Sequence, residues 1–396
     1  MTGITLEPIP GDPDAGRDAI VLGASGANRW RTIAVAGAAV AIVAAVALVG
    51  RNGGGAAAPP TTVPPTTEAP TSTSRTPRLA SASYTEDRAF LNFLGVLSGV
   101  RLYGVVDDGS IVRIDLDSGT VGQRRLGRDD RGHRPQAIFA RTGGAVIVAP
   151  DRAVSVGDGA DGVITFLAAQ DTEVFPASTA TEVWLVHTVG PVGRIAERRM
   201  VRNGAVNGTI QDLPSGEVLG DDGTGALLIQ IGAGVYRATE GGGAPEPLSA
   251  DPLVAWSAAA LIEQRCDGNE CGWDRVDRTS GERRSLGPAP WGGSVLGAEL
   301  SPDATQLAYV GGIGGPTSPS VEVLDLATGQ RTVLDHAVTL TRIPPSNGLV
   351  WSADGQWLFW VTDRGTLRAW QRGADRPQDV AGAGHIPALD AIALAA

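Results

Sequence analysis

The chain has no lysine. All 32 of its basic residues are arginines, set against 43 acidic ones, and the net charge of −11 argues against a polyanionic partner such as nucleic acid. The missing lysine also fits a GC-rich bacterial coding sequence. Cysteine is nearly absent, with two in 396 residues. Histidine is sparse: His133, His187, His336 and His385 are scattered, with no paired spacing such as His-x-x-x-His. No Gly-x-Ser-x-Gly elbow and no phosphate-cradling loop occurs. The sequence therefore names no catalytic residue, no metal ligand and no cofactor.

What is abundant is glycine, 54 residues, and it falls at turns between short apolar runs. From about Leu97 to Asp379 one design recurs seven times: an apolar strand, a Gly/Asp turn, a second strand, a polar hairpin and an Arg-rich strand. A period of roughly 40 residues with strand and turn chemistry predicts an all-β fold, a β-propeller of four-stranded blades. Seven blades fits the spacing best, and six or eight are also compatible with it. The clearest copies are Ser301-Pro302-Asp303-Ala304 followed by Gln306–Val310 and Asp325-Leu326-Ala327-Thr328-Gly329, and Ser352-Ala353-Asp354-Gly355 followed by Trp357–Val361. Degenerate copies begin near Ala137, Glu173, Glu217 and Leu253. This Ser-Pro-Asp-Gly-like turn with its Asp-Leu-x-Thr-Gly hairpin resembles the TolB-like branch of the WD-repeat propellers. The resemblance implies a fold and no particular activity.

A ring must close or leave sheet edges open. The first blade lacks an innermost strand of its own. The C-terminal stretch Ile386–Ile392 and the upstream stretch Ala89–Leu94 are the candidates, and a join that uses both chain ends is expected.

Ahead of the propeller (81–396) three segments differ in composition. Residues 1–28 are Gly/Pro/Asp-rich and aperiodic, and read as a short disordered cytoplasmic tail. Residues 29–51 contain the uninterrupted apolar run Ile33–Gly50, at about 18 residues long enough to cross a bilayer. An uncleaved signal-anchor is expected, because the region before it is long for a signal peptide, the competing reading. Arg17, Arg29 and Arg31 precede the run and only Arg51 follows closely, which places the N-terminus in the cytoplasm and the propeller outside. Residues 52–80 are Gly-rich and then Pro/Thr-rich, a stalk on the order of 60 to 80 Å long.

The two cysteines lie in Cys266-Asp267-Gly268-Asn269-Glu270-Cys271, four turn-forming residues apart inside a predicted hairpin of the fifth blade. A disulfide is the expected state, in keeping with an oxidising outer compartment. No His or third Cys accompanies the pair for a metal, and it lacks Cys-x-x-Cys spacing. Asp115 and Asp117 superficially resemble an oxygen-rich calcium loop, but the same turn returns at Asp277 and Asp325 without the second carboxylate, so hairpin capping is expected. Asp303 and Asp354 are expected to cap turns as well. The tryptophans of the last copy read as core between neighbouring blades. Trp291 falls in a loop, where an exposed aromatic that meets a partner or a sugar is one of two readings.

These features predict a membrane-anchored, extracytoplasmic binding or scaffold module for an envelope protein or cell-wall ligand. The rival is a propeller hydrolase or lyase acting on envelope peptides or glycans, with its residues gathered in the central channel.

Overall fold

The computed structural model describes residues 85–88 and most of 100–395. The stretches 126–136, 158–161, 166–171, 291–294, 312–318, 337–347 and 381–385 are the longest that lie outside the description in that range. The chain divides into two units, 1–71 and 72–396, and every described residue belongs to the second. The tail, the apolar run 33–50 and the stalk all lie outside the described residues.

Seven antiparallel sheets form the blades of a β-propeller. A short outer strand, β1 (Thr85–Arg88), precedes the first blade's β2 (Arg101–Val106), β3 (Ser110–Asp115) and β4 (Thr120–Arg125). Blade two is β5 (Ala137–Arg141), β6 (Gly144–Ala149), β7 (Arg152–Gly157) and β8 (Gly162–Thr165). Blade three is β9 (Glu173–Pro176), β10 (Glu182–Val189), β11 (Gly193–Met200) and β12 (Val206–Ile210). Blade four is β13 (Glu217–Asp221), β14 (Leu227–Ile231), β15 (Gly234–Ala238) and β16 (Glu246–Ser249). Blade five is β17 (Leu253–Trp256), β18 (Ala260–Asp267), β19 (Glu270–Asp277) and β20 (Arg283–Pro288). Blade six is β21 (Gly297–Leu300), β22 (Gln306–Gly311), β23 (Ser320–Asp325) and β24 (Arg331–His336). Blade seven is β25 (Leu349–Trp351), β26 (Trp357–Val361), β27 (Leu367–Gln371) and β28 (Gln378–Asp379). The chain ends in β29 (Leu389–Ala395), which pairs with β2 and becomes the innermost strand of blade one.

Closure therefore uses the C-terminal strand, where a join of both chain ends was expected. The C-terminal strand supplies the missing inner position, whereas the N-terminal one, β1, adds to the outer edge of β4 and makes blade one five-stranded. The stretch Ala89–Leu94 lies outside the described residues.

Each blade runs from its inner strand outward as a meander. The turns from first to second and third to fourth strand consequently share one end of the ring, the turn face. The hairpins from second to third strand, and the connectors between blades, share the other, the loop face. Thr85 pairs with Gln123 near the loop-face end of β4.

The core is a set of seams between neighbouring blades. Alternation along β26 sends Trp357 and Phe359 to blade one and Leu358 and Trp360 to blade six, as expected of a sheet covered on both sides. Trp360, Trp273, Tyr309 and Phe359 are fully buried, each worth roughly 1.5–3 kcal/mol for a large apolar side chain. Apolar clusters of nine or more buried residues fill six seams. At the seam between blades four and five, Leu228, Val235 and Leu261 are joined by buried charge instead: Asp222, Glu263 and Asp274.

Candidate functional site: the loop face and the central channel

The turn face is built for rigidity. Asp115 accepts the amides of Asp117 and Ser118, Asp277 those of Thr279 and Ser280, and Asp325 those of Ala327 and Thr328, at 2.7–3.1 Å. These are Asx turns, so the Asp115 carboxylate is occupied in capping its hairpin. Asp303 and Asp354 accept from Ser301 and Ser352 in the turns they close. Arg372 of blade seven reaches back to Asp303 of blade six at 3.0 Å. Arg278 of blade five reaches Asp222 of blade four at 2.7 Å. Burial raises the Asp222 carboxyl, but bonds from Thr224, Arg278 and Arg237 outweigh it and hold the group well below the usual carboxylate range.

The loop face carries the chain's only two cysteines. Cys266 and Cys271 are cross-strand partners on β18 and β19 and form a disulfide, with Cα atoms 4.0 Å apart. Asp267-Gly268-Asn269-Glu270 forms the exposed tip beyond it. On blades three and four, Val189 and Ile231 are exposed at the loop-face ends of β10 and β14, at 51% and 37%. His187, near the end of β10, and His336, at the end of β24, stand on blades three and six, which are not adjacent. His133, His385 and Trp291 lie outside the described residues. In sequence all three fall in connectors between blades, whose described ends open on the loop face.

The inner strands ring the channel, and indole N–H groups from the inner strands β17 and β25, and from β10 of blade three, tie them to their neighbours. Trp256 donates to the Asp221 carbonyl at 2.8 Å, Trp184 to the Asp221 carboxylate at 2.8 Å, and Trp351 to the Glu299 carbonyl at 3.2 Å. Carboxylates stand at the other end of two of the inner strands. Glu173 and Glu217 start the adjacent strands β9 and β13. Burial, together with the charge of Glu217, raises the Glu173 carboxyl despite an ion pair with Arg194 at 2.6 Å.

Glu299 was not singled out by the sequence, where it is one glutamate in a short apolar strand. Its place follows from register. Ser352 N–H donates to Trp357, so Trp351 and Leu358 form the pair whose amides turn away from each other. The Trp351 N–H therefore points inward from the innermost strand. The partly buried Glu299 carboxyl accepts it, and burial pushes that carboxyl up to about 8. A carboxyl that stays protonated at neutral pH can donate a hydrogen bond or a proton.

Among the described residues no group of three or more His, Cys, Asp or Glu is placed to hold a metal. An open concavity of about 650 Å³ lies at the outer edge of blade seven, lined by Arg368, Arg376 and Gln378, away from the channel.

No protein family matches the chain, and no curated protein matches it. Solved structures do. TolB from Acinetobacter baumannii is 12% identical with a TM-score of 0.41, over 75% of this chain and 82% of its own. The Pan2 WD40 domain of Neurospora crassa is 10% identical with a TM-score of 0.44, over 71% and 88%. An oligogalacturonate lyase in complex with manganese is 11% identical with a TM-score of 0.46, over 77% and 97%. The resemblance is one of fold.

Proposed function

We propose that this chain is a membrane-anchored, extracytoplasmic propeller that binds an envelope protein or a cell-wall ligand through its loop face. The observation that carries the reading is the disulfide hairpin. A ladder of eight residue pairs already joins β18 to β19, so the ring does not need the cross-link. What the disulfide restrains is the exposed tip, and a restrained tip binds at a lower entropic cost than a loose one. The pair also implies an oxidising compartment, which agrees with the apolar run at 33–50 and its arginine asymmetry. Among the described residues no helix is long and apolar enough to cross a membrane, and 29–51 lies outside them.

A second reading, a propeller enzyme acting on envelope peptides or glycans, draws on Glu299. A protonated carboxyl beside a channel is a candidate general acid.

Two experiments test the proposal. Protease added to intact, wall-stripped cells should cut the propeller or the stalk and spare the tail; a fully protected propeller would overturn the placement. Proximity labelling from the full chain should return one set of envelope neighbours from wild type and from Glu299→Gln. Trp291→Ala should lower their recovery about 30-fold, the loss of an aromatic anchor worth about 2 kcal/mol. A chain whose neighbours are unchanged by loop-face substitutions, but whose turnover of envelope material vanishes with Glu299→Gln, would decide for the enzyme.

A further inference from the structure

On the turn face the carboxylates of Asp115, Asp277 and Asp325 cap hairpins, and those of Asp222 and Asp303 hold arginines. On the loop face of blades three to five the carboxylates are placed differently. Asp212, Glu217, Asp267 and Glu270 are exposed there, and among the described residues none of the four side chains makes a hydrogen bond or an ion pair. Three arginines reach this arc, and each is engaged elsewhere. Arg194 holds Glu173 at 2.6 Å, Arg265 holds the buried Asp274 at 3.1 Å, and Arg283 holds the buried Glu263 and Asp274. The parts of the arc outside the described residues, 166–171, 190–192 and 291–294, contain no arginine in sequence. Apolar surface lies among these charges. Of the four large apolar side chains exposed among the described residues, Val189 and Ile231 stand at the loop-face ends of blades three and four.

We infer that the partner met by this arc is a cationic protein segment, one in which arginine or lysine recurs among apolar side chains. The inference rests on the proposed loop-face binding and names the chemistry of what is bound. Charge complementarity carries it: four carboxylates without a cation of their own attract a basic segment and bring like charge against an anionic wall polymer, which selects the first occupant over the second. Asp267 and Glu270 flank a tip already restrained by the disulfide, so two of the four charges are held in place before the partner arrives. Val189 and Ile231 give the apolar side chains of such a segment something to cover, and neither belongs to a blade seam.

The test uses the full-length chain and two labelled synthetic peptides of equal length, one repeating Arg-Leu-Ser and the other Glu-Leu-Ser, with binding read by fluorescence anisotropy. The basic peptide should bind, and its affinity should fall about tenfold as sodium chloride rises from about 50 to about 500 mM. The variant Asp212→Asn/Glu217→Gln/Asp267→Asn/Glu270→Gln should bind it at least about fivefold more weakly, since four exposed ion pairs are each weak. Asparagine tolerates the left-handed backbone at position 212, where φ is 52°, and the other three side chains hold nothing, so the ring stays folded. Val189→Ser/Ile231→Ser should weaken binding as well. Asp117→Asn/Glu282→Gln/Asp375→Asn, three exposed carboxylates of the turn face, should leave it unchanged. Equal affinity for the two peptides, or equal losses in the loop-face and turn-face variants, would overturn the inference. Proximity labelling separates it from the reading beneath it: neighbours lost with Trp291→Ala but kept by the fourfold variant would sink the cationic partner and leave the loop face standing, whereas neighbours kept by both would sink both.

Discussion

Arg278, in the turn between the third and fourth strands of blade five, donates to the fully buried carboxylate of Asp222, in the first turn of blade four. The bond crosses the one seam that lacks a large apolar cluster among the described residues. Arg237 meets the same carboxylate from blade four's own sheet at 2.9 Å. Close by, Arg283 pairs with Glu263 at 2.5 Å and with Asp274 at 3.1 Å. Of these pairs only Arg278–Asp222 spans the two blades; the others anchor the buried carboxylates within blade four or blade five, at a seam where charge stands in place of the leucine, valine and tryptophan of the other seams.

Removing one partner of such a group should cost more than an average substitution. Asp222→Ala leaves two guanidinium groups beside an uncompensated site, and about 3–5 kcal/mol of stability should be lost in urea unfolding. Hydrogen exchange should accelerate first in β13 to β20. Because the folded carboxyl is held below its unfolded value, its contribution is complete above about pH 4 and declines as the pH falls further. A loss below about 1 kcal/mol would show that the seam is carried by Leu228 and Leu261 instead.

Two glycines separate backbone strain from crowding. Gly355 and Gly365 both have positive φ, 67° and 72°. A Cβ on Gly355 would meet nothing closer than Pro302 Cδ at 3.6 Å, whereas on Gly365 it would lie 2.4 Å from the Ala388 Cβ, where the chain enters β29. Gly355→Ala should therefore cost only the left-handed penalty, about 1–2 kcal/mol, and Ala304 already holds such a conformation at the matching turn of blade six. Gly365→Ala should cost more and loosen β29, with faster proteolysis near the C-terminus. Equal losses for the two would contradict this account of closure.

Breaking the disulfide should leave the ring folded. A cross-link over so short a loop is worth at most about 2 kcal/mol by chain entropy, and the β18–β19 ladder limits it further. In Cys266→Ser/Cys271→Ser, thermal unfolding should change little, while cleavage at Gly268 by a nonspecific protease should rise several-fold. A collapse of the whole propeller would assign the pair a folding role that its position does not explain.

How far the sequence could be read varied with the kind of signal. Blades six and seven were legible strand by strand, because Ser301 and Ser352, with Asp303 and Asp354, mark the turns that alternate with apolar runs. The disulfide hairpin was legible for the same reason, with Gly268 and Asn269 between two cysteines. Blade four's Asp222 could be placed in a turn but not recognised as a hub, since its arginines lie 15 and 56 residues away and no local spacing encodes such a meeting. β1 was missed because Thr-Glu-Asp-Arg carries neither apolar alternation nor β-branched enrichment. It is a strand only because β4 offers an edge. Glu299 was missed because its environment comes from blade seven.

Glu299 supplies the sharpest pH prediction. Burial raises its folded carboxyl to about 8, far above the ordinary glutamate value. Between about pH 4.5 and 8 the folded protein therefore holds a proton that the unfolded chain has released, and stability must fall as pH rises through that window. Glutamine keeps the shape and an acceptor for the Trp351 amide but cannot ionise. Relative to wild type, Glu299→Gln should gain about 1–3 kcal/mol in urea unfolding between pH 4.5 and pH 8.5, a discounted figure because the group is partly exposed. At pH 4.5 the two proteins should differ little, since both then present a neutral side chain to Trp351. Stability curves that run parallel from pH 4 to 9 would mean that the carboxyl ionises normally, and the channel would then hold an ordinary carboxylate with no proton to donate at neutral pH.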